Sequence, residues 1–436
     1  MRILGIAHLF DYLIVLAVAA LSTYLLVYPV RKIAVRIGAV VAPDERRVHR
    51  RSTPTLGGVA MFVAFLIAML VAWNLPGLAV VFHHSSEPAG VVLGAAVIVV
   101  VGLIDDLKEI SAPAKVAGQV LAATVLYYLG VTMFQFKIPF AGFVLLSPGL
   151  IPLVTAIWVV GIANAINLID GLDGLAAGIV AIASGALFIY GTRLVNLDVL
   201  SPHNVGPLLA IIAFGVCIGF LPHNFNPARI FMGDVGSMFL GIMMASGTMV
   251  IGGRTPDVTG ETYFFFEPLL ICFFILGVPI LDMVLAIIRR TARRSGVSTP
   301  DKDHLHHRLV RLGHGPRRAV LILWAWTAVL SGFVLLPTFD PQGNAYIIPG
   351  AAALVVLLIT LFRPGQSQKA GMEPTSDNLE GANLGINDER GSRGRHDISL
   401  GSEEGLADRE ELAKGLNGRR KHARHFRQRN QLTIGR

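Results

Sequence analysis

Four short polar segments in an otherwise apolar sequence carry side chains that could bind a cation and phosphate. The first segment, GLIDDLKEI, contains the adjacent carboxylates Asp105 and Asp106, and Lys115 follows them. Adjacent carboxylates repel one another, and a hard cation such as Mg²⁺ or a nearby lysine would relieve the repulsion. The segment therefore predicts a cation site or an acid–lysine pair, with an ordinary acidic helix end as the alternative.

The second segment, NAINLIDGLDGL, concentrates amide and carboxylate side chains. Asn167, Asp170 and Asp173 recur at every third position, which places them on one side of a helix or of its frayed end. Gly171 would let the phosphates or base of a ligand approach the backbone closely. Such a density of Asn and Asp in an apolar chain favours catalysis or binding over packing.

The third segment, FMGDVGSMFLG, places Asp234 between two glycines at the start of an apolar run. Asp234 could be a helix cap favoured by the helix dipole. It could instead be a metal ligand, if the other acidic segments lie on the same face. Phe231, three residues earlier, could present its ring to a nucleobase.

The fourth segment, DKDHLHHRL, contains His304, His306 and His307. Histidines can bind phosphate when protonated, bind a metal when neutral, or transfer protons near neutral pH. A Zn²⁺ site is the alternative. It is disfavoured because the spacing is not that of a helical zinc pair and because the other three segments offer oxygen ligands.

Membrane helices are the elements that must position these segments. The 436 residues are 53% hydrophobic and only 15% charged, and the mean hydropathy is +0.61, as is typical of a polytopic membrane protein. A helix needs ~20 mostly apolar residues to cross a bilayer. We therefore predict an all-α polytopic membrane protein with about eleven transmembrane helices, the first of them retained, at residues 8–29, 57–73, 88–104, 113–130, 150–167, 173–191, 205–221, 235–252, 266–288, 318–337 and 345–362.

Basic residues in the connections predict the orientation. Eighteen Lys and Arg residues follow the first, third, fifth, seventh and ninth runs, against four on the opposite side, and positive loops stay in the cytoplasm. The N-terminus is then outside, and the four polar segments and the C-terminus are cytoplasmic. On the outer side, residues 131–149 predict a short extracytoplasmic hairpin.

Composition divides the chain into two regions. Residues 1–362 form the predicted transmembrane catalytic domain, and residues 363–436 form a polar cytoplasmic tail that we expect to be disordered. The basic end of this tail could contact anionic headgroups or remain solvated.

The four segments, in this order, resemble the polyprenyl-phosphate N-acetylhexosamine-1-phosphate transferase family over about residues 10–362. The resemblance implies a bacterial inner-membrane enzyme that moves a sugar 1-phosphate from a UDP-sugar to a polyprenyl phosphate and releases UMP, with Mg²⁺ required and Mn²⁺ as an alternative. PDERRVH and DKDHLHHRLVRLG are similar to the branch that starts O-antigen, teichoic-acid linkage or arabinogalactan synthesis with UDP-N-acetylglucosamine. The phospho-N-acetylmuramoyl-pentapeptide transferases of peptidoglycan synthesis are the alternative, because TPTLGG also looks like their version of the first loop.

Joining two phosphates brings anions together, so we expect the polar residues to neutralise charge and align the attack. Asp234, with Asp170 or Asp173, would hold Mg²⁺ on the pyrophosphate, and Asp105 or Asp106 would orient or deprotonate the lipid phosphate. A covalent aspartyl intermediate is the alternative to direct attack. The expected catalytic residues are Asp105, Asp106, Asp170, Asp173, His304, His306 and His307, and the expected substrate-binding residues are Lys115, Asn167, Gly171 and Phe231.

The expected partners are a UDP-sugar, a polyprenyl phosphate and the membrane, with no nucleic acid; two copies of the chain could form a homodimer. A different class of function is a proton-coupled transporter or flippase that uses the Asp and His residues as a proton relay. It predicts ionisable residues near mid-membrane, yet apart from Asp282 the acidic clusters fall at the ends of predicted spans.

Overall fold

The computed structural model of the chain describes residues 6–41, 52–83, 85–138, 142–252, 276–292, 309–310, 312, 314–339 and 344–361. A one-turn 3-10 helix at Asn344–Tyr346 precedes the last α-helix. The α-helices are α1 Ile6–Arg36, α2 Gly57–Asn74, α3 Ala79–His83, α4 Glu87–Lys108, α5 Ala112–Tyr128, α6 Ile151–Ile169, α7 Leu175–Asn196, α8 Gly206–Asn224, α9 Gly233–Gly252, α10 Gly277–Ala292, α11 Pro316–Phe339 and α12 Ile347–Leu361.

Eight helices of the described part are long and apolar enough to cross a membrane: α1, α2, α4, α6, α7, α8, α9 and α11. The chain is thus a mostly helical, multi-pass membrane protein. The other three predicted spans coincide with the shorter helices α5, α10 and α12, of 17, 16 and 15 residues. The first part of the predicted span at 266–288 lies outside the described residues. A total of eleven transmembrane helices therefore stays a prediction.

Helix α9 is enclosed by the rest of the bundle. Every residue from Val235 to Gly252 is buried, and α2, α4, α6 and α8 pack around the helix. Small residues permit this close approach: a Cβ on Gly58 would clash with the backbone of Gly236, and a Cβ on Gly241 would clash with Ala163. Lipid tails are as apolar as the side chains, so helices in a bilayer associate largely through close packing at small residues.

Two antiparallel pairs of short strands complete the described structure. Strands β1 Val40–Val41 and β2 Thr53–Pro54 pair near the start of α2. Strands β3 Gln135–Ile138 and β4 Gly142–Leu145 pair between α5 and α6. The second pair falls in the segment predicted to form a hairpin, and the side of the membrane on which it lies stays a prediction.

Two predicted regions lie outside the described residues. These are the segment with the three histidines, within 293–308, and the tail, 363–436. The division of the chain at residue 362 therefore stays a prediction.

Candidate active site

The first and third polar segments meet at the junction of α4, α5 and α9. Asp105 and Asp106 lie in the last turn of α4, Lys115 in the first turn of α5 and Asp234 in the first turn of α9. The Lys115 ammonium lies 2.7 Å from Asp105 Oδ2 and also forms an ion pair with Asp234 Oδ2. One cation therefore joins two carboxylates that are far apart in the sequence.

Asp106 makes a different set of contacts from its neighbour. Its Oδ1 accepts a hydrogen bond of 2.9 Å from the Asp234 amide, and its Oδ2 accepts one of 3.3 Å from the Val235 amide. These amides belong to the first turn of α9, where the N–H groups have no partner within the helix. The Asp106 side chain thus caps α9 from another span.

The turn that leads into α9 is also held from the α2 side. The Gly57 and Gly58 amides donate to the carbonyls of Phe231 and Met232, both at 2.9 Å, and the Phe231 amide donates to Pro54 O at 2.9 Å. The backbone around Phe231 and Asp234 is therefore fixed by its neighbours on both sides, and the half-buried Phe231 lies next to this junction.

A row of amide side chains continues from the junction along α6. Asn164 Nδ2 donates to Gln119 Oε1 at 2.7 Å, and Asn167 Nδ2 donates to Ser237 Oγ at 3.1 Å. Ser237 is not among the residues predicted from the sequence. Its position one turn after Asp234 is the signal that could have identified it, since residues three apart share a helix face.

The second polar segment does not continue as a helix past Ile169, where α6 ends. Asp170 follows the helix end, Gly171 is exposed, and Gly174 adopts a left-handed conformation with φ +77°. The regular spacing of Asn167, Asp170 and Asp173 is therefore not one continuous helical face. Asp170 and Asp173 lie in a tight turn between α6 and α7.

Asp173 anchors the loop between α8 and α9. The side chain is buried, and its Oδ2 accepts hydrogen bonds from Asn226 Nδ2 at 3.0 Å and from the Ala228 amide at 2.9 Å. Asn226 in turn accepts a hydrogen bond of 3.1 Å from Arg317, in the first turn of α11. Neither Asn226 nor Arg317 was singled out in the sequence, because their pairing depends on the tertiary fold.

Asp170 lies in an environment that disfavours negative charge. Burial, followed by the carboxylates of Asp234, Asp106 and Asp173, raises the pKa of Asp170 to about 8. Within the described part of the chain, its carboxylate receives no side-chain hydrogen bond and forms no ion pair. A cation at this position would offset the excess of negative charge.

The donor set at the junction consists of carboxylate and amide oxygens, the ligands preferred by Mg²⁺. Among the described residues, no group of three or more His, Cys, Asp or Glu side chains is arranged as a metal site. Mg²⁺ commonly takes only one or two protein carboxylates, with water and phosphate oxygens completing its shell. The residues present therefore fit an ion held jointly by protein and substrate. His304, His306 and His307 lie outside the described residues.

Comparison with known proteins identifies the family. A family model described as Glycosyl transferase family 4 matches residues 88–252. The decaprenyl-phosphate N-acetylglucosaminephosphotransferase of Mycobacterium tuberculosis is 40% identical over 358 residues, which cover 80% of this chain and 88% of that protein. The chain belongs to glycosyl transferase family 4. The family 4 match includes the acidic residues of the junction, whereas His304, His306 and His307 lie beyond it.

Two further relatives of this family 4 chain carry different names. The probable undecaprenyl-phosphate N-acetylglucosaminyl 1-phosphate transferase of Bacillus subtilis is 35% identical over 323 residues, covering 74% of this chain and 82% of that protein. The phospho-N-acetylmuramoyl-pentapeptide-transferase of Desulforudis audaxviator is 32% identical over 325 residues, covering 68% and 88%.

Proposed function

We propose that this family 4 chain transfers N-acetylglucosamine 1-phosphate from UDP-N-acetylglucosamine to a polyprenyl phosphate and releases UMP. The reaction would be the first membrane step in making a cell-envelope polysaccharide. The names of the Mycobacterium tuberculosis and Bacillus subtilis relatives support the sugar and the acceptor. The observation that carries the proposal is the cluster of acids, where Lys115 bridges two carboxylates and burial and three neighbouring acids raise the pKa of Asp170 to about 8.

The chemistry requires two anionic phosphates to approach each other. An oxygen of the lipid phosphate attacks the phosphorus bonded to the sugar, and the bond from that phosphorus to the UMP oxygen breaks. Neutralised charge and an aligned attack would provide most of the rate enhancement. Lys115 would stabilise negative charge on the phosphates. Asn167 and the backbone at Gly171 would position the donor, and Phe231 would contact the uracil.

We assign the metal to Asp234 and Asp170 in preference to Asp173. Asp173 Oδ2 already accepts two hydrogen bonds from the loop before α9, whereas the Asp170 carboxylate has no such partner among the described residues. When bound, Mg²⁺, or Mn²⁺ in its place, would neutralise charge on the pyrophosphate. We also propose that the segment before α11 holds the phosphates through His304, His306 and His307.

The proposed topology places this site in the cytoplasm, at a bacterial inner membrane. The basic residues in the connections support it. UDP-sugars are water-soluble and a polyprenyl phosphate is held in the bilayer, so a site at the cytoplasmic ends of the helices is reached by both substrates.

The decisive experiment supplies purified protein with UDP-N-acetylglucosamine, a polyprenyl phosphate and Mg²⁺, and measures UMP. We expect release that needs both the lipid and the metal. In Asp234→Asn, the Mg²⁺ concentration needed for half-maximal activity should rise. The matched control is Asp198→Asn, an exposed acid after the far end of α7. No release with any UDP-sugar would contradict the transferase proposal, and an unchanged Mg²⁺ requirement would remove Asp234 from the metal site.

The pentapeptide transferase is the second candidate, because the Desulforudis audaxviator relative carries that name. A competition assay with equal concentrations of UDP-N-acetylglucosamine and UDP-N-acetylmuramoyl-pentapeptide separates the two candidates. Preferential use of the pentapeptide donor would replace the proposed substrate.

A transporter would instead use residues such as the buried Asp282 of α10. A transporter function predicts proton-coupled flux of a substrate into vesicles without UMP release.

Direct attack and a covalent aspartyl intermediate differ in stereochemistry. A single displacement inverts the configuration at a chiral phosphorus, whereas two successive displacements retain it. We propose direct attack, and retention of configuration would contradict it.

A further inference from the structure

We infer that Asp106 is a positioning residue that fixes the first turn of α9, and with it Asp234, and that it is not the base that deprotonates the lipid phosphate. The inference concerns the role of Asp106 in the transferase reaction and to that extent rests on the proposed function. The capping contact itself is independent of any activity.

The first observation is that α9 lacks a cap of its own. The residues at its start, Met232 and Gly233, carry no side-chain oxygen, although Ser, Thr, Asp or Asn normally accept the free amides there. Asp106 supplies the missing acceptor from α4, with one oxygen on the Asp234 amide and the other on the Val235 amide. A carboxylate also interacts favourably with the positive end of the helix dipole.

The second observation is that the surrounding backbone leaves space for this contact. Gly233 has φ +70°, and a Cβ there would clash with the Asp106 carboxylate and with Thr55 Oγ1. Gly102 lies one turn before Asp106 on the same face of α4, and a Cβ on Gly102 would come within 2.7 Å of the Val235 backbone. Glycines on both helices thus allow α4 to lie directly against the first turn of α9.

The third observation is the contrast with Asp105. Asp105 Oδ2 pairs with Lys115, and Oδ1 accepts a hydrogen bond of 3.0 Å from the Ile110 amide. Lys115 also pairs with Asp234, so Asp105 faces the charged centre of the junction. Both oxygens of Asp106 point instead at backbone amides, and taking up a proton there would weaken the bonds that fix α9. Of the two acids, Asp105 is the one placed to act on a substrate.

The first experiment compares Asp106→Asn with Asp106→Ala in UMP release. Asn is as good a helix cap as Asp, but it cannot accept a proton at neutral pH. A positioning role predicts that Asp106→Asn releases UMP at least about tenfold faster than Asp106→Ala, because one acceptor oxygen remains. A role as the base predicts that both variants are equally inactive, and that result would overturn the inference.

The second experiment needs no activity. Hydrogen–deuterium exchange of the full-length protein, without substrate, is followed in a peptide that contains the first turn of α9. We expect exchange there to be about tenfold faster in Asp106→Ala, less affected in Asp106→Asn, and unchanged in the matched control Asp105→Ala. Unchanged exchange in Asp106→Ala would refute the cap.

The two experiments distinguish the possible failures. If exchange accelerates as expected but no UDP-sugar yields UMP, the cap stands and the proposed function fails. If Asp106→Ala does not fold, Asp106→Asn decides by itself: activity within about tenfold of the wild type supports positioning, and loss to about a hundredth or less overturns it.

Discussion

At the junction of α4, α5 and α9, the carboxylates are paired with a lysine or with backbone amides, whereas Asp170, in the turn after α6, has no such partner among the residues that the structure describes. Lys115 pairs with Asp105 and Asp234, and two amides of α9 bind Asp106. In the turn, Asp173 is bonded to the loop before α9, but burial and neighbouring acids raise the pKa of Asp170 to about 8. Protein groups thus offset much of the charge of the junction carboxylates, and a bound cation would add most beside the turn.

The largest effect that follows from this contrast is expected at Asp170. Asp170→Asn removes a carboxylate that we assign to the metal, and we expect UMP release to fall by about 10²- to 10³-fold, as for other groups that stabilise transition-state charge. Activity is measured over a range of Mg²⁺ concentrations, with Asp198→Asn as the control. Activity within about tenfold of the wild type would mean that the metal is held elsewhere.

The second-largest effect on activity is expected at Lys115, whose ammonium group is the cation of the junction. Lys115→Met leaves Asp105 and Asp234 facing each other, and we expect about a hundredfold loss of activity. We also expect about 1–2 kcal/mol lower stability, a moderate value because the pair is partly exposed. Lys115→Arg keeps the charge and should recover most of the stability. Thermal unfolding in detergent measures the stability of both variants relative to the wild type. Equal unfolding temperatures for Lys115→Met and the wild type would show that the Lys115 bridge does not stabilise the fold.

A smaller effect is expected at Asp173, which the sequence could not distinguish from Asp170. Asp173→Asn keeps an oxygen for the Ala228 amide, so activity should stay within about tenfold of the wild type. Asp173→Ala leaves buried donors without an acceptor and should cost about 1–3 kcal/mol in the free energy of unfolding. If Asp173→Asn abolished activity while Asp170→Asn did not, the roles of the two acids would be the reverse of those proposed.

A further effect is expected on the pH dependence of stability without metal. The folded protein keeps the Asp170 proton up to a pH of about 8, whereas the unfolded chain releases it near the ordinary value of 3.8. The folded state therefore binds more protons between these values, and its stability falls as pH rises through that window and levels off above it. With a chelator present, Asp170→Asn should gain stability over the wild type as pH rises from about 5 to about 8. A difference independent of pH would contradict the raised pKa.

The sequence predicted the class of fold and the grouping of the acidic segments more fully than the contacts within the site. Hydropathy predicted all eight long spans of the described part of the chain, because a bilayer imposes a minimum length on each apolar helix. It could not establish the count, since α5 has only 17 residues and α12 has only 15.

The different contacts of the acidic residues could not be predicted from the sequence. Asp105 and Asp106 are adjacent, and only the packing of α4 on α9 directs one to a lysine and the other to backbone amides. In the same way, the repeat of Asp170 and Asp173 suggested two equivalent ligands. The partners of Asp173, Asn226 and the Ala228 amide, lie more than fifty positions further along the chain.

The complete enclosure of α9 has a consequence for how the protein responds to its lipid environment. A change in bilayer thickness produces hydrophobic mismatch, which tilts or bends helices that touch lipid. Every residue of α9 from Val235 onward is buried, so mismatch reaches Asp234 only through the helices around it. The outer helices can therefore adapt to membranes of different composition while the central helix keeps its register.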